Sequence, residues 1–146
     1  MQSKSQRSFI SSRTAILRGK LNFHHIAIAG PLEAGKSELA ARLAVRLNAT
    51  VVHDETTENP FLEDFYAGTA GAAFQTQLFS LLARHRQQIN LRQTNLFSQT
   101  TICDYLFDKD KIYAYLNLDD NELFIYQRLF DLLARDIVSP DVVIFL

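Results

Sequence analysis

Apolar residues occur along this chain in short runs that alternate with longer stretches of helical periodicity. Four runs, at residues 22–30, 49–55, 99–104 and 139–146, are compact; the first ends on glycine, the second and third end on acids, and the fourth begins at a proline break. Such runs are typical of short buried strands. The pattern therefore predicts four strands, with helical segments between them.

The helical segments are marked by apolar residues three or four positions apart. The first runs through Leu39, Leu43 and Leu47, and the next two cover residues 58–66 and 72–91. Two further helices are divided near residues 117–122, where Asp119 or Asp120 is expected to cap the second of them. Strands that alternate with helices predict right-handed crossovers and a parallel sheet with helices on both faces. The predicted fold is a three-layer α/β/α domain.

Composition narrows the class of protein. A chain of 146 residues with 47% hydrophobic residues supplies one domain with a core. Its net charge of −1 gives no indication of nucleic acid or a membrane surface as partner, and no apolar run approaches the roughly 20 residues that span a bilayer. The single cysteine, Cys103, has no partner for an internal disulfide, which favours a reducing compartment. We expect a cytoplasmic protein.

Residues 1–20 differ from the rest because they carry five basic residues and no acid. A transit peptide, a disordered leader and the remains of an upstream linker all fit this composition. We treat the segment as a basic disordered leader outside the fold. The folded domain is then expected over residues 21–146.

The first strand leads into the sequence GPLEAGKS, which satisfies the phosphate-loop pattern G-x-x-x-x-G-K-[ST]. Its glycines let successive backbone N–H groups surround a phosphate, the lysine reaches the β and γ oxygens, and the serine ligates Mg²⁺. The fold is therefore of the P-loop NTPase type, with ATP and Mg²⁺ as expected cofactors. The expected nucleotide-binding residues are Gly30, Pro31, Leu32, Glu33, Ala34, Gly35, Lys36, Ser37 and Glu38.

The phosphate loop alone does not separate a GTPase, a motor ATPase and a small-molecule kinase. The chain contains no N-K-x-D guanine motif, and TTICD is a poor version of the apolar run before a motor ATPase acid. Acid clusters instead follow the second strand (Asp54, Glu55, Glu58) and the third strand (Asp104, Asp108, Asp110). These residues favour a kinase.

Together these motifs resemble the deoxynucleoside kinases, in particular the bacterial deoxyadenosine/deoxyguanosine type. The likeness runs from Phe23 to Leu146 and rests on GPLEAGKS, ENPFLEDFY, FQTQLFSLLAR, DYLFDKD and PDVVIFL. The family fold has five parallel strands, so the resemblance implies a fifth strand and an arginine-bearing lid after Leu146. It implies an ATP-dependent kinase of nucleotide salvage that phosphorylates a deoxynucleoside, with purines favoured. Dimerisation through helices is suggested only by analogy with the family.

The resemblance also implies catalytic roles. A carboxylate after the second strand takes the proton from the nucleoside 5′-hydroxyl, and Lys36 with Mg²⁺ neutralises phosphate charge. Glu55 is preferred as this base because it closes the expected strand and reaches further, whereas the family spacing from ENP selects Asp54. Asp104 is the counterpart of the acid that contacts Mg²⁺ and the reacting hydroxyl, so Ser37 and Asp104 are the expected metal ligands.

A nucleobase pocket is the last implied site. Gln77 and Arg84 are two helical turns apart and project from one face, and Asp110 follows Asp104 at the family spacing of its base-reading aspartate. A polar helix face with an ion pair to a neighbouring helix is the alternative. The family commonly has arginine where Tyr105 stands, and that arginine neutralises the transferring phosphoryl group. This departure favours one rival, an ATP-binding module without turnover, and the shared loop architecture leaves open a second, another small-molecule or nucleotide kinase.

Overall fold

The computed structural model describes residues 23–55, 58–94 and 99–146, so the expected leader lies outside the described residues. The strands are β1 (His25–Ala29), β2 (Thr50–Val52), β3 (Thr101–Cys103) and β4 (Val142–Phe145). The helices are α1 (Lys36–Leu47), α2 (Leu62–Tyr66), α3 (Ala72–Thr94), α4 (Lys109–Asn117) and α5 (Asp120–Ala134). Every predicted strand and helix is present, with bounds shifted by a few residues.

The four strands form one parallel sheet in the order β2-β3-β1-β4. Val52 of β2 and Ala27 of β1 are both in register with Cys103 of β3, so these three strands run level with one another. The carboxyl ends of parallel strands meet at one sheet edge, which is where ligands bind in such folds. The predicted parallel sheet is confirmed, and its register brings the segments after β1, β2 and β3 together.

Helices cover both faces of the sheet. On one face, Ile26, Ile28 and Ile102 pack with Ala40 of α1 in a buried apolar cluster. On the other face, Gln88 of α3 donates a hydrogen bond of 3.8 Å to the Sγ atom of Cys103. Side chains of successive strand residues point to opposite faces, so each strand contributes to both layers. The observed fold is the predicted three-layer α/β/α arrangement.

A second apolar core joins α3, α4 and α5. Its buried members are Leu81, Phe107, Ala114, Tyr126 and Phe130. Because these side chains come from three helices and the loop before α4, their packing fixes α4 relative to α3. None of the described helices is long and apolar enough to cross a membrane.

The start of α5 is fixed by a capping box. Asp119 Oδ1 accepts a hydrogen bond of 2.8 Å from the Glu122 amide, and Glu122 Oε1 accepts one of 3.2 Å from the Asp119 amide. Two N–H groups that the helix itself leaves unpaired are thereby satisfied. Of the two acids expected as caps, Asp119 is the cap and Asp120 is the first helical residue.

Replacing Asp119 by alanine should lower the free energy of unfolding by about 1 kcal/mol, since an N-cap side chain is lost. Asp120→Ala is the matched control and should cost only about 0.3 kcal/mol, the value of an acid in a first helical turn. Urea denaturation followed by circular dichroism measures both. Equal losses from the two variants would contradict the cap assignment.

Candidate active site

The glycine-rich loop joins β1 to α1 in the conformation that its glycines permit. Gly35 is the N-cap of α1 and has a φ of 85°, a left-handed conformation that favours glycine. A Cβ atom on Gly30 would lie 3.0 Å from the carbonyl oxygen of Leu146, so glycine lets the loop pass close to the end of β4. Within the described residues, no side chain caps the first turn of α1. Its free N–H groups, with the positive end of the helix dipole, suit a phosphate.

Lys36 is the first residue of α1, and its side chain lies over the loop. Its Nζ atom donates a hydrogen bond of 2.5 Å to the carbonyl oxygen of Pro31. An ammonium held across a ring of backbone amides adds a full positive charge to their partial charges. The loop therefore offers both kinds of group that bind a polyphosphate.

Asp104 lies directly beyond β3 and connects the loop to the end of β2. Its Oδ2 atom accepts a hydrogen bond of 2.7 Å from Ser37 Oγ and lies 2.6 Å from His53 Nδ1, and its Oδ1 atom accepts one of 3.0 Å from the Asp54 amide. Burial by itself raises the pKa of this carboxyl, but the bonds from His53, Ser37 and the Asp54 amide outweigh it and lower the pKa. Asp104 is therefore an anion at neutral pH.

The Ser37 hydroxyl and the Asp104 carboxylate are a suitable pair for Mg²⁺. Mg²⁺ is bound by one or two carboxylates together with substrate phosphates and water, rather than by a cage made of protein alone. Among the described residues, no group of three or more His, Cys, Asp or Glu side chains is placed to hold a metal ion. An oxygen pair beside a phosphate loop fits Mg²⁺ that arrives with a nucleotide.

Arg84 of α3 holds two carboxylates that come from separate elements. Its Nε and Nη2 atoms donate to Asp54 Oδ1 at 3.0 Å and Oδ2 at 2.9 Å, and its Nη1 atom donates to Asp110 Oδ1. Burial lowers the pKa of the guanidinium, but the bonds and charges of Asp54 and Asp110 outweigh it and raise the pKa. Arg84 thus stays charged and fixes the Asp54 carboxylate against α3.

Asp110 is completely buried behind Arg84 and Gln77. Gln77 Nε2 donates hydrogen bonds to the backbone carbonyl oxygen of Asp110 at 3.0 Å and to Asp110 Oδ2 at 2.9 Å. Tyr126 Oη donates to the same Oδ2 atom. Burial raises the pKa of Asp110, and this effect exceeds the lowering by Arg84, Tyr126 and Gln77. In this structure Asp110 orients Gln77 and Arg84 instead of lining a cleft itself.

Two adjoining clefts lie over this sheet edge. The first, about 740 Å³, contains Lys36 and the start of the phosphate loop, and the second, about 550 Å³, contains Gln77 and Arg84. They share three lining residues, Leu32, Lys109 and Tyr113. Both volumes are in the range of small-molecule sites. The second cleft also has an apolar wall that includes Leu62, Phe65 and Tyr66.

Glu55 is not among the residues that the structure brings together. Because β2 ends at Val52, Glu55 does not close the strand, which was the basis for preferring it. It lines a separate groove of about 600 Å³ with Glu58, Phe79 and Arg86. The carboxylate that contacts Arg84 and lies near Lys109 is that of Asp54.

Sequence reasoning missed two residues at this edge. His53 Nδ1 lies 2.6 Å from Asp104 Oδ2, and Lys109 Nζ lies 3.6 Å from Asp54 Oδ2, yet neither residue is among the expected site residues. The position of His53 directly after β2 was an available signal. For Lys109 no periodicity gives the position, since it depends on how α4 packs against α3.

Tyr105, which stands where an arginine is expected, is almost completely buried at the edge of the first cleft, and its hydroxyl is bonded to α3. That hydroxyl accepts a hydrogen bond of 2.8 Å from Gln88 Nε2 and donates one to Gln87 Oε1. Burial raises the pKa of Tyr105, so the side chain is neutral. Tyr105 joins β3 to α3 and brings no charge to the site.

A glycine-rich loop at a helix N-terminus, with acids from the two neighbouring strand ends opposite it, defines a nucleotide-binding protein of the phosphate-loop class. The model of the deoxynucleoside kinase family matches residues 26–146, nearly all of the described chain. The chain belongs to the deoxynucleoside kinase family.

Curated relatives and a solved structure agree with this membership. A deoxyguanosine kinase of Bacillus subtilis (strain 168) is 31% identical over 83% of this chain and 59% of its own length. A deoxyadenosine kinase of Dictyostelium discoideum is 33% identical over 90% of this chain and 54% of its own. The structure of a deoxyadenosine kinase from M. mycoides superimposes with a TM-score of 0.66 and 28% identity over 83% of this chain and 62% of that chain. The chain thus spans between half and two thirds of the length of these proteins.

Replacing Arg84 by methionine should lower the free energy of unfolding by about 3–5 kcal/mol, because the buried carboxylate of Asp110 loses its cation. Adding Asp110→Asn to that variant should restore part of the loss, since it removes the uncompensated charge. Chemical denaturation of the intact protein measures both.

Arg86→Met is the control, because Arg86 is exposed on the same helix and lines the separate groove. It should change the free energy of unfolding by no more than about 0.5 kcal/mol. If the stability lost by the Arg84→Met/Asp110→Asn double variant equals the sum of the losses in the two single variants, Arg84 and Asp110 do not act as a pair.

Proposed function

We propose that this chain forms the phosphate-loop part of an ATP-dependent deoxynucleoside kinase, which transfers the γ-phosphate of ATP to the 5′-hydroxyl of a deoxynucleoside. The proposal is supported above all by one juxtaposition. The cleft that contains Lys36 and the cleft that contains Gln77 and Arg84 share Lys109, whose Nζ atom lies 3.6 Å from Asp54 Oδ2. A phosphate donor and an alcohol acceptor bound in them would meet at a carboxylate.

In this proposal the phosphate loop binds ATP through the amides of residues 30–38 and the Lys36 ammonium. Ser37 and Asp104 would hold Mg²⁺, which would supply positive charge to the triphosphate. Asp104 suits this role because its lowered pKa keeps it ionised. These residues position and neutralise the triphosphate, and they form no covalent bond with it.

Asp54 is the proposed general base. Its carboxylate lies 3.6 Å from Nζ of Lys109, which lines both clefts, and is held by two hydrogen bonds from Arg84, which fix its orientation. The nucleoside oxygen forms a bond to the γ-phosphorus, the bond from that phosphorus to the bridging oxygen breaks, and ADP leaves with the electron pair. The hydroxyl proton passes to Asp54.

The second cleft is the proposed nucleoside site. Polar Gln77 and Arg84 line this cleft together with the aromatic residues Phe65, Tyr66 and Tyr113. A flat, polar-edged base fits such a cleft. Purine deoxynucleosides are the first candidates because the two curated relatives are named for deoxyguanosine and deoxyadenosine. The M. mycoides enzyme, whose structure holds dCMP and dCDP, makes deoxycytidine the next one to test.

The homodimer and the cytoplasmic location stay predictions. The proposed place in metabolism is nucleotide salvage, since the reaction turns a free deoxynucleoside into its monophosphate. The two rivals, another phosphate-loop kinase and an ATP-binding module without turnover, are distinguished by which acceptor is phosphorylated, if any.

Asp54→Asn should lower kcat by about 10²–10⁴-fold, the usual contribution of a general base, while ATP binding persists. Glu55→Gln is the matched control and should stay close to the wild-type rate, because Glu55 lines another groove. Transfer from labelled ATP to a panel of deoxynucleosides measures kcat, with Lys36→Ala as the variant that loses the phosphate site.

A large loss in Glu55→Gln with an active Asp54→Asn would overturn the base assignment. Phosphorylation of a nucleotide or a sugar acid, with no deoxynucleoside consumed, would identify another kinase of the same class. ATP binding by the intact protein without transfer to any acceptor would identify a binding module.

A further inference from the structure

In the proposed reaction, no residue has yet been assigned to neutralise the transferring phosphoryl group from the acceptor side. The three equatorial oxygens of the transferring phosphoryl group carry negative charge, and enzymes of this class neutralise it with several cations placed around it. Lys36 lies on the side of the phosphate loop, where Ser37 and Asp104 would hold Mg²⁺. Tyr105 is neutral and buried, so it brings no cation to the acceptor side.

Lys109, the first residue of α4, lies on that side. Its Nζ atom is 3.6 Å from Asp54 Oδ2, and its side chain lines both clefts. The side chain is 23% exposed, and Nζ lies 5.6 Å from the centroid of the Tyr113 ring. The ammonium is therefore partly shielded from solvent, directly beside the proposed base.

The reacting atoms must come close to this ammonium. A hydroxyl that donates its proton to Asp54 lies within about 3 Å of the carboxylate, and the phosphorus that it attacks is about 3–3.5 Å further on. A lysine has a flexible stem of four carbons and three donors, so it follows a phosphoryl group over such distances. A cation 3.6 Å from Asp54 is within reach of the oxygens that are transferred.

Other basic side chains near the site are occupied elsewhere. Arg84 uses its guanidinium on Asp54 and Asp110, Arg86 lines the separate groove, and Lys111 Nζ lies 4.2 Å from the centroid of the Phe130 ring. Of the basic residues that line the two clefts within the described part of the chain, Lys109 alone lines both.

We propose that Lys109 is a catalytic residue whose ammonium binds the transferring phosphoryl group from the acceptor side and neutralises its charge in the transition state. This inference rests on the proposed kinase function. Lys109 keeps its proton throughout, while the proton of the nucleoside hydroxyl goes to Asp54 and the electron pair of the broken bond leaves with ADP. Before substrate binds, the same ammonium is the ion-pair partner of Asp54.

The test compares Lys109→Met, Lys109→Arg and Lys111→Met in the intact protein. Lys109→Met should lower kcat by about 10²–10³-fold, the usual loss for one transition-state donor, with little change in the Kd of the deoxynucleoside. Lys109→Arg should recover most of the rate because it keeps the charge. Lys111→Met removes a lysine two residues along the same helix and should match wild type. Single-turnover experiments measure the rate of phosphoryl transfer, and titration calorimetry measures the Kd of the deoxynucleoside.

A pH profile separates direct action from an effect through Asp54. The loss in Lys109→Met should persist over the whole pH plateau, because the missing charge acts on the phosphoryl group. Full recovery of that variant at higher pH, a loss confined to nucleoside Kd, or a rate equal to wild type would each overturn the proposal. Wild-type protein that transfers no phosphate to any deoxynucleoside would instead overturn the proposed function, so the two failures are distinguishable.

Discussion

One buried guanidinium holds the proposed acceptor side of the site together. Arg84 is only 5% exposed and bridges Asp54, after β2, to Asp110, in α4. Removing a charge from water is costly, and such an arrangement is retained only if every partner is present with good geometry. Here the cation meets two carboxylates, and Gln77 and Tyr126 satisfy the second of them. The position of the Asp54 carboxylate thus depends on helices that are distant in the sequence.

Two aspartates of this region differ because their surroundings differ. Asp104 receives hydrogen bonds from Ser37, His53 and the Asp54 amide, which lower its pKa and keep an anion beside Ser37. Asp110 is enclosed by α3 and α5, and burial raises its pKa despite its partners. Asp104 is suited to bind a metal ion, whereas Asp110 is suited to hold the neighbouring side chains in place. Environment, rather than residue type, separates the roles.

The fold and the phosphate loop were predictable because their signals are local. Apolar runs gave the strands, helical periodicity gave the helices, and the loop motif carries its own geometry. Gln77, Arg84 and Asp110 were also predicted together, and the structure joins them. The complete burial of Asp110 behind Gln77 and Arg84 could not be read from spacing, because it depends on Tyr126 of α5.

Other features of the site were beyond sequence reasoning for identifiable reasons. The preference for Glu55 assumed that β2 extends to that residue, and the strand ends three residues earlier, at Val52. Strand ends are set by hydrogen bonds to the neighbouring strand, which the sequence of one strand does not contain. Lys109 reaches Asp54 only because α4 packs against α3, so no motif marks it.

The central claim is that donor and acceptor meet at Asp54, between the phosphate loop and Arg84. A crystal structure of the intact protein with a non-hydrolysable ATP analogue, Mg²⁺ and a deoxynucleoside tests it most directly. We expect the 5′-oxygen within about 3 Å of the Asp54 carboxylate, with the γ-phosphate beside Lys36. A nucleoside bound in the groove of Glu55 and Arg86, with its 5′-oxygen far from Asp54, would contradict the account.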